Sequence, residues 1–331
     1  MNIAAFVLLS AIIGIYVLLD GYDLGVAAIT PLVARTRAER GAAMASIGPF
    51  WSGNEVWLVV AGGVLFALFP KAYASAFSGF YLAFMVLLWL LMFRGIAIEL
   101  RNHFDNEMWH SFWDTTFFAS SAGLILLLGV ALGNLLRGLP LNGNEYFPGT
   151  FAFLLNPYAL GVGVFALLAL AQHGMAFLAM RVDGPPAQRA RRAQSVLWWM
   201  VLCGYLLVTL ATFVVRTDSI HGIVWVTFVP LLSLASLVAL RFSSTRTHER
   251  SAFIASSVFL ASLMLAAAGT MFPYLLPAFP AGTGGLSIYD TAPPAGALAI
   301  TIGVTVIGLL LVIGYTTFVV REMASKITVR E

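Results

Sequence analysis

The sequence predicts an all-α polytopic membrane protein, a bundle of about nine transmembrane helices with the N-terminus outside and the C-terminus cytoplasmic. Three observations carry this. Of 331 residues, 60% are hydrophobic and only 10% charged, against roughly 25% charged in an ordinary soluble domain. Charge-free runs such as Ala4 to Leu19, Tyr81 to Phe93 and Ser121 to Leu132 recur along the chain, and several continue past the roughly 20 residues that cross a hydrocarbon core. Finally, the cations fall almost entirely in alternate connections between those runs.

Hydropathy and punctuation place spans near 4–33, 50–69, 73–99, 113–136, 153–179, 195–215, 219–241, 251–276 and 296–320. The first run has no basic flank and continues through Asp20 and Asp23 without a small-residue cleavage site, so it reads as a span and not as a signal peptide. Two connections are long. One, near 137–152, carries Gly138, Pro140, Gly143 and Pro148; the other, near 277–295, carries Pro277, Pro280, Gly282, Gly284, Gly285, Pro293 and Pro294. Both read as ordered external loops with turns. Of the 18 Lys and Arg residues, all but Lys71, Arg137 and Arg216 lie in odd-numbered connections or the C-terminal tail. Cations near span ends mark the cytoplasmic side, and this pattern with both termini on opposite sides requires an odd number of spans. No internal repeat is visible, and the chain reads as one bundle domain over 1–331. The single cysteine, Cys203, excludes a disulfide framework or a Cys-built metal centre within the chain. The Arg clusters lack aromatic interleaving, which argues against nucleic acid as a partner.

Acids inside a membrane cost about 2.5–3.5 kcal/mol each on insertion scales, which makes them functional candidates. Asp20-Gly21-Tyr22-Asp23-Leu24-Gly25 is the strongest instance. Spacing of three places Asp20 and Asp23 on one helical face about 5 Å apart, where like charges raise the proton affinity of one of them. They read either as a proton-handling pair or as partners of Arg94 or another cation that lock helices together. Both fall in the cytoplasmic half of span one. The segment Gly48-Pro49-Phe50-Trp51-Ser52-Gly53-Asn54-Glu55-Val56-Trp57 opens span two at the same depth. Pro49, Ser52 and Glu55 also suit an ordinary helix start, and Trp51 and Trp57 suit an interfacial anchor and a packing contact. Span three ends on Arg94-Gly95-Ile96-Ala97-Ile98-Glu99, with Arg94 a partner for an acid among Asp20, Asp23, Glu55 and Glu99. Three spans thus deliver charge to one depth.

Among the histidines, His103, His110, His221 and His248 lie in polar connections or at span ends, and only His173 is deep enough to ligate haem iron. No second buried His offers a bis-histidine site, so His173 reads as a hydrogen-bonded helix contact. Pro273 in Met271-Phe272-Pro273-Tyr274 breaks the ladder at the external end of span eight and bends the exit, where a structural cap is the plain reading and a quinone headgroup or partner contact the alternative.

These motifs resemble subunit II of the cytochrome bd-type quinol oxidases. The resemblance runs nearly end to end, through G-Y-D-L-G at 21–25, G-P-F-W-S-G-N-E-V-W-L at 48–58, F-P-K-A-Y-A-S-A-F-S-G-F-Y at 69–81, R-G-I-A-I-E at 94–99, G-N-L-L-R-G-L-P at 133–140, N-P-Y at 156–158, H-G-M-A-F-L-A-M-R at 173–181 and M-F-P at 271–273. It implies a subunit of a bacterial plasma (inner) membrane oxidase of the respiratory chain, which oxidises quinol and reduces oxygen to water without pumping protons. In the family that the chain resembles, haem b, haem d and the quinol site belong mainly to subunit I, which implies that this chain does not act alone. It implies that subunit II stabilises the haem-bearing partner and lines a cytoplasmic proton path through Asp20, Asp23, Ser52, Asn54 and Glu55, with Arg94 and Glu99 as charge partners. Trp51, Trp57, His173 and Pro273 then serve as interface or structural positions. The resemblance leaves room for a structural quinone or lipid and for small single-span accessory subunits among the membrane lipids.

One position departs from the pattern. The family commonly has Asp where this chain has Ser52, and a hydroxyl relays a proton but does not store one as a carboxylate does. Either Asp23 with Glu55 takes over storage, the reading preferred here, or entry runs mostly through the partner subunit. Two other readings compete. A proton-coupled secondary transporter would use the same acids but calls for repeat symmetry and broken helices, and a stand-alone haem carrier calls for more intramembrane His.

Overall fold

A chain this apolar has to satisfy its backbone within its own segments, and helices do so without edges. The computed structural model describes residues 1–141, 147, 150–216, 228–245, 248–323 and 325–329. In chain order the helices are α1 (Asn2–Val33), α2 (Arg37–Ile47), α3 (Trp51–Leu68), α4 (Pro70–Gly79), α5 (Tyr81–Leu100), α6 (Glu107–Arg137), α7 (Phe151–Leu154), α8 (Pro157–Arg181), α9 (Pro185–Val215), α10 (Val229–Thr245), α11 (Glu249–Met271) and α12 (Ala295–Glu322), with strands β1 (Tyr274–Pro277) and β2 (Gly285–Ser287) between the last two. Among the described residues, eight helices are long and apolar enough to cross a membrane: α1, α3, α5, α6, α8, α9, α11 and α12. The expected span near 219–241 begins outside the described residues, and its described part, α10, is a shorter apolar helix of 17 residues. His221, Arg246, Arg330, Gly143 and Pro148 also lie outside them.

Helix α8 is the axis of the bundle. In its most apolar stretch 72% of residues are buried, against 6% for the peripheral α12. Glycines set how closely α8 is approached. A Cβ on Gly25 of α1 would lie 2.0 Å from the Leu170 carbonyl oxygen, and one on Gly129 of α6 would lie 2.7 Å from the Gly163 Cα. Backbones that close leave no room for a side chain, so α1 and α6 are drawn onto α8.

The expected third span, near 73–99, is two helices. Pro70 starts α4, and the chain breaks at Phe80, whose backbone leaves the helical region. The ring of Phe147 sits against Gly79 and packs with Phe80 at 5.9 Å between centroids. Span eight likewise stops at Met271, earlier than its apolar run, because Pro273 cannot continue the ladder.

The two long connections meet at one end. Strands β1 and β2 pair antiparallel, with Gly284 and Gly285 at φ of 96° and 140° where the chain reverses. Leu139 joins this hairpin: its N–H donates to the Pro277 carbonyl and its own carbonyl accepts from Phe279 N–H, each at 2.8 Å. The Arg137 guanidinium lies 4.4 Å from the Phe279 ring centroid and 5.0 Å from that of Phe153, a cation–π clamp over the junction.

The opposite, Arg-rich end is tied by ion pairs. Arg101 meets Asp114 at 2.5 Å, Arg189 meets Glu39 at 2.5 Å and Arg191 meets Glu249 at 2.7 Å. The C-terminal segment returns here: Ile327 bridges Val182, while Lys326 reaches Glu249 at 2.8 Å and Asp183 at 3.2 Å. Helix α2 begins with a capping box in which Thr36 Oγ1 accepts from Glu39 N–H and Glu39 accepts from Thr36 N–H. Burial alone would raise the Glu39 carboxyl, but hydrogen bonds from Arg189 and from the Arg35 and Thr36 amides outweigh it and hold it below the usual range. The Lys326 ammonium is held above its usual range, first by its hydrogen bond to Glu249 against some desolvation, then by Asp183.

Candidate functional site

Helices α1, α3 and α5 converge toward the Arg-rich end, about one turn into α3, about two turns before the end of α5 and nearly four before the end of α1. Their contact is built from side chains that no apolar bundle needs. From α5, Arg94 is fully buried and grips Asp20 of α1 with both arms: Nη1 donates to Oδ2 at 3.0 Å and Nη2 to Oδ1 at 2.5 Å. This fork-to-fork geometry is the strong form of a carboxylate–guanidinium pair. The same guanidinium is 4.0 Å from Asp23 and 3.8 Å from Glu55 of α3.

Asp23 is also fully buried and is held from the other side. Asn54 of α3 donates from Nδ2 to Asp23 Oδ2 at 2.7 Å. Its second oxygen, Oδ1, has no hydrogen-bond partner among the described residues, and the same holds for Glu55 Oε2. Three carboxyl groups therefore share one guanidinium. Asp20 takes it through both oxygens, while Asp23 and Glu55 stand at the edge of its reach, each with one free oxygen. Asp20 is thus paired with Arg94 between α1 and α5, while Asp23 keeps one oxygen without a hydrogen-bond partner among the described residues.

Several sequence candidates fall elsewhere. Ser52 is exposed on the outer surface of α3, two residues from Asn54 and so about 200° around the helix. Glu99 is exposed and forms no ion pair among the described residues. Trp51 packs its ring 3.5 Å from where a Cβ on Gly95 would stand, joining α3 to α5. Trp57 is only 1% exposed and belongs to a core cluster with Tyr16, Ala61 and Val64. Pro273 follows α11 through a cis peptide bond, and its carbonyl accepts from Ile288 N–H at 3.0 Å.

His173 is fully buried with both ring nitrogens engaged. Nε2 meets the Leu18 carbonyl at 3.1 Å and Nδ1 meets Ser256 Oγ at 2.7 Å. A carbonyl only accepts, so Nε2 carries the hydrogen. The ring stacks on Phe253 at 5.0 Å between centroids. With neither nitrogen free, His173 does not fit an axial haem ligand. Among the described residues, no group of three His, Cys, Asp or Glu is placed to hold a metal ion.

Two aromatic residues also contribute. Tyr22, 4% exposed, presents its hydroxyl 2.7 Å from Asn54 Nδ2; Tyr16 is buried one turn before Asp20. Both read as apolar core from sequence. The lone signal was Tyr22's place inside the G-Y-D-L-G run.

A family model described as cytochrome bd terminal oxidase subunit II matches residues 1–323. A probable cytochrome oxidase subunit 2 of Haemophilus influenzae is 32% identical over 342 residues, covering 93% of this chain and 90% of that one. Cytochrome bd-I ubiquinol oxidase subunit 2 of Escherichia coli K12 is 31% identical, with the same shares of 93% and 90%. Among solved structures, the bd oxidase of Geobacillus thermodenitrificans has a chain that superposes with a TM-score of 0.79 over 97% of both chains, at 18% identity. That likeness is one of fold.

Proposed function

Because the chain belongs to the family of cytochrome bd terminal oxidase subunit II, we propose that it is the subunit that binds no haem itself, stabilises the haem-bearing subunit I and lines the proton path from the cytoplasm. The membership makes it a multi-span subunit of a bacterial inner-membrane oxidase that contains haem and has a partner subunit. The finer reading takes nine spans, with the N-terminus outside and the Arg-rich end in the cytoplasm. Quinol oxidation and reduction of oxygen to water then take place at haem b and haem d in the partner. The oxidase supplies the redox chemistry there, and this chain's residues deliver protons to it.

One observation carries the reading: Asp20, Asp23, Asn54, Glu55 and Arg94, from three helices, meet at one buried depth near the Arg-rich end. A cluster with more carboxyl than guanidinium, reached from that end, can take protons from one side. Asp23 and Glu55 hold the proton, Asp20 with Arg94 fixes the frame, and Ser52 lies off the route. The exposed apolar faces of α3, α5 and α12, with Val59, Trp89 and Leu311 outward, support a chain surrounded by lipid and a partner. Family membership removes the grounds for a transporter.

The test is the whole complex carrying Asp23→Asn, assayed for oxygen turnover with haem content as the check on assembly. Removing a group that transfers protons typically costs on the order of 10²-fold or more. The reading predicts such a loss with haem content kept. Full turnover would remove Asp23 from the path.

A further inference from the structure

The cluster holds one hydroxyl for which the proton-path reading has no use. Tyr22 stacks on Phe177 with centroids 4.0 Å apart and planes 14° from parallel, and meets Phe253 edge-on at 5.8 Å. Its ring is thereby fixed from two sides. Its oxygen lies 2.7 Å from Asn54 Nδ2, the nitrogen that also lies 2.7 Å from Asp23 Oδ2. An amide nitrogen carries two hydrogens. These two short contacts use both, and the Leu19 carbonyl at 3.4 Å is left with a marginal contact.

In this arrangement Asn54 is a donor to both neighbours, which suits an ionised Asp23. Once Asp23 holds a proton, the carboxyl has an O–H to give, and an amide turned by 180° presents a carbonyl to receive it. That turn also points the amide carbonyl at Tyr22. A phenol, unlike a carboxylate or a carbonyl, is able to donate as well as accept. Tyr22 therefore matches Asn54 in either orientation. A phenyl ring in its place would remove one of the amide's two short hydrogen bonds in each orientation.

We propose that Tyr22 is a positioning residue that gives Asn54 a hydrogen-bond partner in both orientations, as Asp23 gains and loses its proton. No bond in Tyr22 or Asn54 is made or broken. The proton arrives at an Asp23 oxygen and leaves from it, and the amide turn exchanges two donated hydrogen bonds for two accepted ones. The charged and titratable groups facing this triad are Asp20 from α1, Glu55 from α3, Arg94 from α5, and Arg181 and His173 from α8. The inference rests on the proton-path reading.

The test is a double-mutant cycle on the complete oxidase, with Tyr22→Phe, Asn54→Ala and the pair. Oxygen turnover is followed against a short-chain ubiquinol, and haem content reports assembly. Tyr22→Phe keeps the stacked ring and removes one oxygen. The expected result is kcat lowered about tenfold, the scale of one unmade buried hydrogen bond, with KM for the quinol unchanged. In the Asn54→Ala background the same change should lower kcat no further. Wild-type kcat in Tyr22→Phe, the same loss in both backgrounds, or a Tyr22→Phe chain that fails to assemble would each overturn the proposal. If Asp23→Asn loses turnover while Tyr22→Phe does not, only this inference fails; if Asp23→Asn keeps full turnover, the proton-path reading fails with it.

Discussion

Replacing Arg94 by glutamine removes the guanidinium that faces Asp20, Asp23 and Glu55. Asp20 is the most affected, since both its oxygens are held by Arg94 at 2.5 and 3.0 Å and both side chains are fully buried. Breaking a buried pair on one side strands a charge in apolar surroundings and costs about 3–5 kcal/mol. At about 1.4 kcal/mol per decade this is a factor of about 10² to 10⁴ in the folded population. Removing both charges is far cheaper, because a neutral pair leaves nothing to solvate. Arg94→Gln should therefore abolish most assembled complex, and Arg94→Gln with Asp20→Asn should restore a large part of it. The assay is the yield and thermal inactivation of haem-containing complex purified in detergent. A single variant as stable as the natural protein, or a double variant no better than the single, would refute the assignment of Asp20 to the helix lock.

Two further outcomes follow from the packing and the Arg-rich end. Gly25→Leu should prevent assembly, since its Cβ would stand 2.0 Å from backbone that has no way to yield, whereas Gly62→Ala, with nothing within 4 Å, should be neutral. For Glu39, whose carboxyl is held below its ordinary value of 4.5, stability from its contacts is present above that value and lost as pH falls through the lower folded value. Thermal unfolding of Glu39→Gln should lie below that of the natural chain at neutral pH, and the gap should close as pH drops below 4.5; a gap independent of pH would contradict the role of its ionised form.

Much of this architecture is legible in the sequence because a membrane admits few alternatives. The apolar runs place α1, α3, α8 and α12 near their ends, whereas α6 and α9 begin at Glu107 and Pro185, in polar sequence ahead of their apolar runs, and α11 stops early at Met271; that Asp20, Glu55 and Arg94 fall toward one end follows from counting residues along antiparallel spans. Hydropathy does not report rotation. The first turns of α3 carry Ser52, Asn54 and Glu55 on different faces of an otherwise apolar helix, so nothing local shows that Asn54 turns inward and Ser52 outward. The choice of Asp20 over Glu99 as the partner of Arg94 depends on how α1 and α5 rotate against each other, which the backbone contact at Gly25 and Gly174 helps to set. The break at Phe80 rests on Phe147, far along the chain, and is invisible locally. Helix α2 was readable in principle, since Thr36 and Glu39 carry the capping-box spacing. Tyr22 was hidden because an aromatic in an apolar run reads as core, and only its neighbour from another helix gives its oxygen a task.

Proton uptake by Asp23→Asn tests the central claim most directly. The complex is placed in vesicles with the Arg-rich end facing a pH-sensitive dye, and uptake is followed as the reduced enzyme meets oxygen. With the haems present in full, uptake from that side should slow together with oxygen reduction, by about 10²-fold or more. Uptake at the natural rate from that side would contradict a path through the cluster of Asp20, Asp23, Asn54, Glu55 and Arg94.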